Sequence, residues 1–162
     1  MSKTLYLIRH SYAEKSSGNN DEQRHLTLEG QSTVRALGRH LINQNFNPDI
    51  ILCSSAVRTR ETAVNLVEEL EISERLVEYK DIIYNASVRE LLQVLNELPE
   101  SHNEVVIIGH NPTITFFGEY LSNSIIGNME PAGIVTIKID KLNWSEVSQG
   151  TGIFESYYHP NH

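Results

Sequence analysis

Short runs of consecutive apolar residues alternate, over the first two thirds of the chain, with longer segments in which apolar residues recur every three or four positions. The short runs predict buried strands at 4–8, 49–53 and 105–108. The longer segments predict helices over 28–44, from 54 onward, behind the capping-box pattern at 87–90, and after Pro112. This alternation of strands and helices is typical of a parallel sheet covered by helices on both faces.

The pattern changes after residue 130. Residues 135–139 alternate between apolar and polar side chains, as expected for a half-exposed strand. The segment 144–158 predicts one or two further strands, broken at Gly150 and Gly152. We therefore predict a single α/β domain over 1–162, with three α/β/α layers, a mostly parallel central sheet and antiparallel strands at its C-terminal edge.

Net charge and cysteine content narrow the class of protein. The net charge of −8, from 21 acidic and 13 basic residues, disfavours binding to nucleic acid or anionic lipid, which both need a positive surface. The one cysteine, Cys53, excludes an intramolecular disulfide. The N-terminus shows no signal-peptide pattern, and no apolar run approaches the ~20 residues that span a bilayer. We expect a cytoplasmic protein.

Cationic and imidazole side chains follow all three apolar strands. Arg9 and His10 come directly after the first strand, Arg58 comes shortly after the second, and His110 follows the third. Ligands of parallel α/β sheets bind beyond the carboxyl ends of the strands, so these four side chains are expected to meet. One such residue alone would be ordinary surface. Because arginine binds phosphate through a fork of N–H donors, the convergence of all four predicts an oxyanion site.

The same residues fall in three short motifs, which are Leu7-Ile8-Arg9-His10-Ser11, Ser54-x-x-x-Arg58-x-x-Glu61-Thr62 and Gly109-His110-Asn111-Pro112. In this order, and over nearly the whole chain, they resemble the R-H-G signature, the second motif and the second-histidine motif of the histidine phosphatase superfamily. That superfamily includes the cofactor-dependent phosphoglycerate mutases and acid phosphatases. The short length, the segment 26–30 and the tail from Trp144 are similar to its SixA-type phosphohistidine phosphatases.

The resemblance implies a phosphoglycerate mutase-like fold and a role for each residue. His10 is expected to be the nucleophile, which takes the phosphoryl group as a phosphohistidine intermediate. Arg9, Arg58 and His110 are expected to bind the phosphoryl oxygens and stabilise the transition state. Phosphoryl transfer needs little beyond in-line attack and charge stabilisation, so no metal or other cofactor is expected. The implied partner is a phosphorylated substrate, such as a histidine-containing phosphotransfer protein. Ser11 departs from the glycine of the signature.

A general acid is missing where larger members of the superfamily carry one. The corresponding stretch, 81–86, contains no glutamate, and we expect its one carboxylate, Asp81, to be structural. A site without an acid suits a good leaving group such as imidazole, whose conjugate acid has a pKa of ~6.5. Two alternatives remain open: a small-molecule phosphomonoesterase of the same fold, and a phosphate-binding module without catalysis.

Cys53 invites comparison with the cysteine phosphatases, which need the spacing Cys-x5-Arg. Here that spacing leads from Cys53 to Thr59, one residue beyond Arg58. We therefore expect Cys53 to be a core residue. Arg24 and His25, between a predicted loop at 16–21 and the first helix, are expected on the surface, with a position at the border of the pocket as the alternative.

Overall fold

The computed structural model describes residues 2–15 and 20–160, so the first four positions of the predicted loop at 16–21 lie outside the described residues. Strands and helices follow one another along the chain as β1 (Ser2–Arg9), α1 (Leu28–Ile42), β2 (Ile50–Ser54), α2 (Val57–Leu70), β3 (Val77–Lys80), α3 (Val88–Asn96), β4 (Glu104–Gly109), α4 (Thr113–Ser122), β5 (Ile134–Asp140) and β6 (Ile153–Tyr158). Single 3-10 turns lie at Asp21–Gln23, Glu74–Leu76, Asp81–Ile83 and Trp144–Glu146.

The six strands form one mixed sheet in the order β3-β2-β4-β1-β5-β6. The first four strands of the chain are parallel to one another, and β5 and β6 add to the β1 side in antiparallel fashion. This confirms the predicted fold class. One strand was not predicted, because the four residues of β3 are partly exposed at the sheet edge and form no apolar run. The C-terminal segment contributes one strand, β6, preceded by a 3-10 turn.

Two hydrophobic clusters separate the sheet from its helices. One cluster packs α1 and α2 against one face, with Leu37 and Leu66 meeting sheet residues such as Ile51. The other packs α3 and α4 against the opposite face, with Leu95 and Phe117 meeting alternate sheet residues. Because successive strand residues point to opposite faces, the uninterrupted apolar runs of β2 and β4 supply both clusters. The result is the predicted three-layer arrangement.

Capping side chains mark the first residues of α1 and α3. The Thr27 side chain accepts a hydrogen bond from the Gly30 N–H and caps α1. Ser87 and Glu90 form the predicted capping box at the start of α3. α2 begins at Val57 without a side-chain cap, which places Arg58 in its first turn. Within the described ranges, no helix has the length and apolar character needed to cross a bilayer.

Candidate active site

The two histidines of the site follow directly after two neighbouring strands, β1 and β4. β1 and β4 are parallel partners in the middle of the sheet, and Arg9 lies opposite Gly109 in their register. His10 and His110 are the next residues on each strand. Their ring centroids are 5.4 Å apart. The structure therefore brings together the two imidazoles that the sequence placed at one sheet edge.

Arg58 reaches the same place from the first turn of α2. Its side chain is only 7% exposed, and its guanidinium carbon lies 5.9 Å from the centroid of the Tyr84 ring. Arg58, Tyr84 and His110 line one cavity of about 310 Å³. That volume is at the lower end of the ~300–1,000 Å³ typical of small-molecule sites, so the cavity suits one side chain or a small ligand.

A backbone contact fixes the tautomer of His10. Its Nδ1 lies 2.7 Å from the carbonyl oxygen of Ser11. A carbonyl oxygen can only accept, so Nδ1 must carry the hydrogen and donate it. The lone pair of the neutral ring then resides on Nε2, which is the nitrogen that can act as a nucleophile.

His110 is oriented by the hydroxyl of Ser54, whose Oγ lies 2.8 Å from Nε2. That Oγ accepts a hydrogen bond from the Ala56 N–H, and its hydrogen has no acceptor other than His110 among the described residues. The arrangement that satisfies the hydroxyl therefore has it donate to Nε2. With Nε2 accepting, the ring hydrogen sits on Nδ1. His110 then presents an N–H donor on the side of the ring away from Ser54.

Both imidazoles are held in the neutral form. Burial lowers the pKa of His10 to about 4, and the positive charges of Arg58 and Arg9 act in the same direction. Burial, followed by the neighbouring His10 and Arg58, lowers the pKa of His110 to about 3. The hydrogen bond from His10 to Ser11 and the charge of Asp21 near His110 oppose these shifts without reversing them. At neutral pH the site therefore has two uncharged rings among its arginines.

Three buried side-chain nitrogens lack a hydrogen-bond partner among the described residues, and all three belong to the predicted site. They are Nε of Arg9, Nε of Arg58 and Nδ1 of His110. Buried N–H groups are nearly always paired, because an unpaired one costs roughly 1–3 kcal/mol. An oxyanion would satisfy these three nitrogens, which we call the oxyanion cradle.

Arg9 is anchored through Nη1. Its Nη1 donates to the carbonyl oxygen of Met129 at 2.8 Å, and Asn111 contacts the same carbonyl through its side-chain amide. The segment around Met129 thus connects the first motif to the third. Arg9 is held at one end of its guanidinium, while its Nε has no partner in the part of the chain that the structure describes.

Asp21 is a site residue that the sequence analysis did not identify. Its carboxylate accepts hydrogen bonds from Arg58 Nη2 at 3.0 Å, Arg24 Nη1 at 3.0 Å and the Tyr84 hydroxyl at 2.6 Å. Its backbone carbonyl accepts a further bond from Arg58 Nη1 at 2.8 Å. No periodicity marks the 3-10 turn that carries it, so only the folded chain shows the contact.

Asp21, rather than Asp81, is the carboxylate in the position to act as a general acid. Asp21 is the one carboxylate among the described residues that line the cavity. The hydrogen bond from Tyr84, reinforced by those from Arg24 and Arg58, holds the pKa of Asp21 well below its usual range. Asp21 therefore has no proton to give at neutral pH. Asp81, the carboxylate considered from the sequence, lines a different cavity between β3 and α3.

The hydroxyl of Ser11, where the signature has glycine, points away from the oxyanion cradle. Ser11 Oγ donates to the carbonyl oxygen of Gly30, and its backbone N–H donates to Thr62 Oγ1. Thr62 in turn donates to the carbonyl of Arg58. The serine thus ties the loop after His10 to α1 and α2.

Cys53 and Arg24, which were also considered from the sequence, are both held by contacts within the fold. Cys53 is fully buried, with its Sγ 3.3 Å from the carbonyl oxygens of Ser54 and Thr59, and burial raises the pKa of its thiol. Arg24, expected on the surface, is three-quarters buried and binds Asp21. Among the described residues, no group of three or more His, Cys, Asp or Glu side chains is arranged to hold a metal ion.

Comparison with known proteins supports the family resemblance and the fold. The family model of the histidine phosphatase superfamily, branch 1, matches residues 5–81, which include Arg9, His10 and Arg58. Among solved structures, a SixA protein from Nakamurella multipartitia, assigned as a phosphohistidine phosphatase, is 26% identical and superposes with a TM-score of 0.83 over 99% of this chain and 97% of its own. A comparison with the curated proteins found no match.

Two more distant structures share the fold. The protein histidine phosphatase SixA complexed with tungstate is 20% identical, with a TM-score of 0.82 over 96% of both chains. A phosphoglycerate mutase from Plasmodium falciparum is 16% identical, with a TM-score of 0.66 over 96% of this chain and 89% of its own. The matched segment contains the first two motifs, and the likeness of fold extends over nearly the whole chain. The chain is thus similar to the histidine phosphatase superfamily in sequence over residues 5–81 and to SixA structures in fold.

Proposed function

We propose that the protein is a phosphatase that acts on phosphohistidine in a protein, through a phosphohistidine intermediate on His10. The observation that carries the proposal is the set of three buried nitrogens, on Arg9, Arg58 and His110, that have no hydrogen-bond partner among the described residues. The His110 ring lies 5.4 Å from that of His10, and the charges of Arg9 and Arg58 act on His10. An arrangement of donors that is fixed before the substrate binds stabilises developing charge on phosphoryl oxygens without reorganisation. The 26% identical structure assigned as a phosphohistidine phosphatase supports the same substrate class.

His10 Nε2 attacks phosphorus in the first step, because the hydrogen on Nδ1 is committed to Ser11. The bond from phosphorus to the substrate nitrogen breaks, and its electron pair stays on the departing imidazole. In the second step water attacks phosphorus, the bond to Nε2 breaks, and inorganic phosphate leaves as dihydrogen phosphate, which carries both protons of the water. His10 recovers its lone pair, and the N–H groups of Arg9, Arg58 and His110 hold the oxygens throughout.

The ionised carboxylate of Asp21 favours a leaving group that needs no acid. A phosphorylated imidazole that is protonated on its second nitrogen departs as neutral imidazole, whereas an alkoxide would need a proton that Asp21 lacks. The narrow cavity beside Tyr84 and His110 can take one side chain of a protein substrate.

A dephosphorylation panel tests this function. The panel compares a phosphohistidine protein, an aryl phosphate, a sugar phosphate and a phosphoserine peptide, in the presence of a chelator. We expect the first two to be hydrolysed and the last two to react slowly. Brief incubation with labelled substrate should leave acid-labile, base-stable phosphate on the wild-type protein but none on the His10→Ala variant.

His102→Ala is the matched control, because His102 lies outside the site and lines the cavity between β3 and α3. It should behave as wild type. Preferred hydrolysis of sugar phosphates would favour the small-molecule phosphomonoesterase instead. Tight phosphate binding without turnover of any substrate would favour a non-catalytic module.

A further inference from the structure

Arg58 can offer an oxyanion two different edges of its guanidinium. The end edge carries Nη1 and Nη2, and the side edge carries Nε and the second hydrogen of one Nη. Asp21 occupies the end edge, because its carbonyl oxygen accepts from Nη1 and its carboxylate accepts from Nη2. The buried Nε has no partner among the described residues. Only the side edge is therefore free.

We propose that Asp21 is a positioning residue, which fixes the end edge of Arg58 so that the side edge faces the phosphoryl group. The proposal rests on the phosphoryl site proposed above and assigns a role to a residue outside its three motifs. Asp21 does not touch the reacting atoms in this arrangement. It acts through Arg58.

Tyr84 and Arg24 hold Asp21 in place. The Tyr84 hydroxyl donates to the carboxylate oxygen that also binds Arg58, and the Tyr84 ring meets the His110 ring edge-on, with centroids 5.5 Å apart. Arg24 binds the other carboxylate oxygen and anchors its own Nε on the carbonyl of Glu14. One carboxylate thus links Arg58 to the loop after His10 and, through Tyr84, to His110.

The opposite role for Asp21 is competition with the substrate for Arg58. A carboxylate on a phosphate-binding arginine can also act as a competing ligand, which the substrate must displace. Two observations favour positioning. Asp21 contacts the end edge and leaves Nε free, and its side chain is 46% exposed, so water screens its repulsion of a bound anion. Arg58 is itself 7% exposed, so its orientation depends on its hydrogen bonds.

Vanadate binding to the full chain, measured by calorimetry, separates the two roles. If Asp21 positions Arg58, Asp21→Ala should weaken vanadate binding and lower kcat/KM for an aryl phosphate, each by about tenfold. Tyr84→Phe should cause a smaller loss in the same direction. Glu22→Gln is the matched control, because it removes the neighbouring charge of the same turn and should change neither value. Thermal unfolding of each variant identifies any loss that is due to misfolding.

A double-variant cycle tests whether Asp21 acts through Arg58. In an Arg58→Lys background there is no fork to orient, so Asp21→Ala should cause no further loss of vanadate binding. An independent tenfold loss in that background would overturn the proposal. So would vanadate binding by folded Asp21→Ala that equals or exceeds wild type, since Asp21 would then be dispensable or a competitor. Wild type that binds vanadate without turnover would contradict the proposed function alone, whereas wild type that binds none would contradict both.

Discussion

A single backbone oxygen determines which nitrogen of His10 is available for the proposed attack on phosphorus. The Ser11 carbonyl engages Nδ1, so the lone pair stays on Nε2, and burial keeps the ring neutral. The free imidazole value of ~6.5 would make a nucleophilic histidine lose activity below about pH 6. Because burial lowers the pKa of His10, we expect that loss at lower pH.

Activity against an aryl phosphate should therefore persist well below neutrality. Burial lowers the pKa of His10 to about 4, and the neutral ring is the reactive form, so the fraction of reactive enzyme falls only as pH approaches 4. The rate of His10 phosphorylation in a single turnover, measured from pH 8 to pH 4, checks this. His102→Ala should give the same profile, and a half-maximal rate near pH 6.5 would contradict the expected pKa.

Replacement of Arg58 by lysine should lower kcat/KM by about 10²–10³, comparable to the loss of one preorganised oxyanion donor. Lysine keeps the charge but has no side edge that could offer two parallel N–H groups. Arg60→Lys is the control from the same helix, because the Arg60 guanidinium lies over the Tyr79 ring at 4.2 Å, away from the cavity. Equal activity in Arg58→Lys and wild type would contradict bidentate binding.

Cys53→Ser should keep activity within about twofold of wild type. The Sγ lies against two backbone carbonyls in the core, and a serine hydroxyl can donate to the same oxygens. Steady-state rates with and without a thiol-blocking reagent, together with thermal unfolding, measure the effect. A folded but inactive variant would point to thiol chemistry.

The central strands and the residues that follow them could be predicted from the sequence, whereas the edge strand β3 and the contact of Asp21 could not. Strands β1, β2 and β4 are central and apolar, so their ends, with Arg9, Arg58 and His110, follow from the sequence. β3 lies at the sheet edge and shows no such run. Asp21 lies in a polar turn, and its contact with Arg58 depends on how α2 packs beside that turn. No local pattern encodes that contact.

The start of α1 supports the loop that follows His10. A Cβ at Gly30 would lie 2.1 Å from the carbonyl oxygen of Tyr12, which is backbone and cannot move aside. Gly30→Ala should lower the free energy of unfolding by about 1–3 kcal/mol, as overpacking does. It should also reduce activity, because Ser11 donates to the Gly30 carbonyl.

Chemical denaturation and steady-state assays measure both effects of Gly30→Ala. Gln31→Ala, the next residue of the same turn, is the control and should leave both unchanged. Stability of Gly30→Ala equal to that of wild type would show that the loop after His10 can move away from α1.

For the molecule as a whole, the two buried imidazoles link stability to pH. Their pKa values are about 4 and about 3 when folded and ~6.5 when unfolded, so below that value the unfolded chain binds more protons. Stability should be fully present above about pH 6.5 and fall as pH drops toward 4. Unfolding temperatures of wild type should decrease by several degrees between pH 7 and pH 5.

His10→Asn combined with His110→Asn removes both titrating rings and tests that link. The unfolding temperature of the double variant should decrease less than that of wild type between pH 7 and pH 5. An identical loss in both proteins would assign the acid sensitivity to other groups.

The position of β1 in the sheet determines when the site can form as the chain folds. β1 is the first strand of the chain, yet it lies between β4 and β5, so it pairs only with strands made much later. The residues of the oxyanion cradle are far apart in sequence, so contacts between neighbouring segments of the chain are not enough to assemble it. A growing or partly refolded chain should therefore be unable to bind vanadate until β4 docks beside β1. During refolding, recovery of binding should lag behind helix formation and report completion of the central sheet.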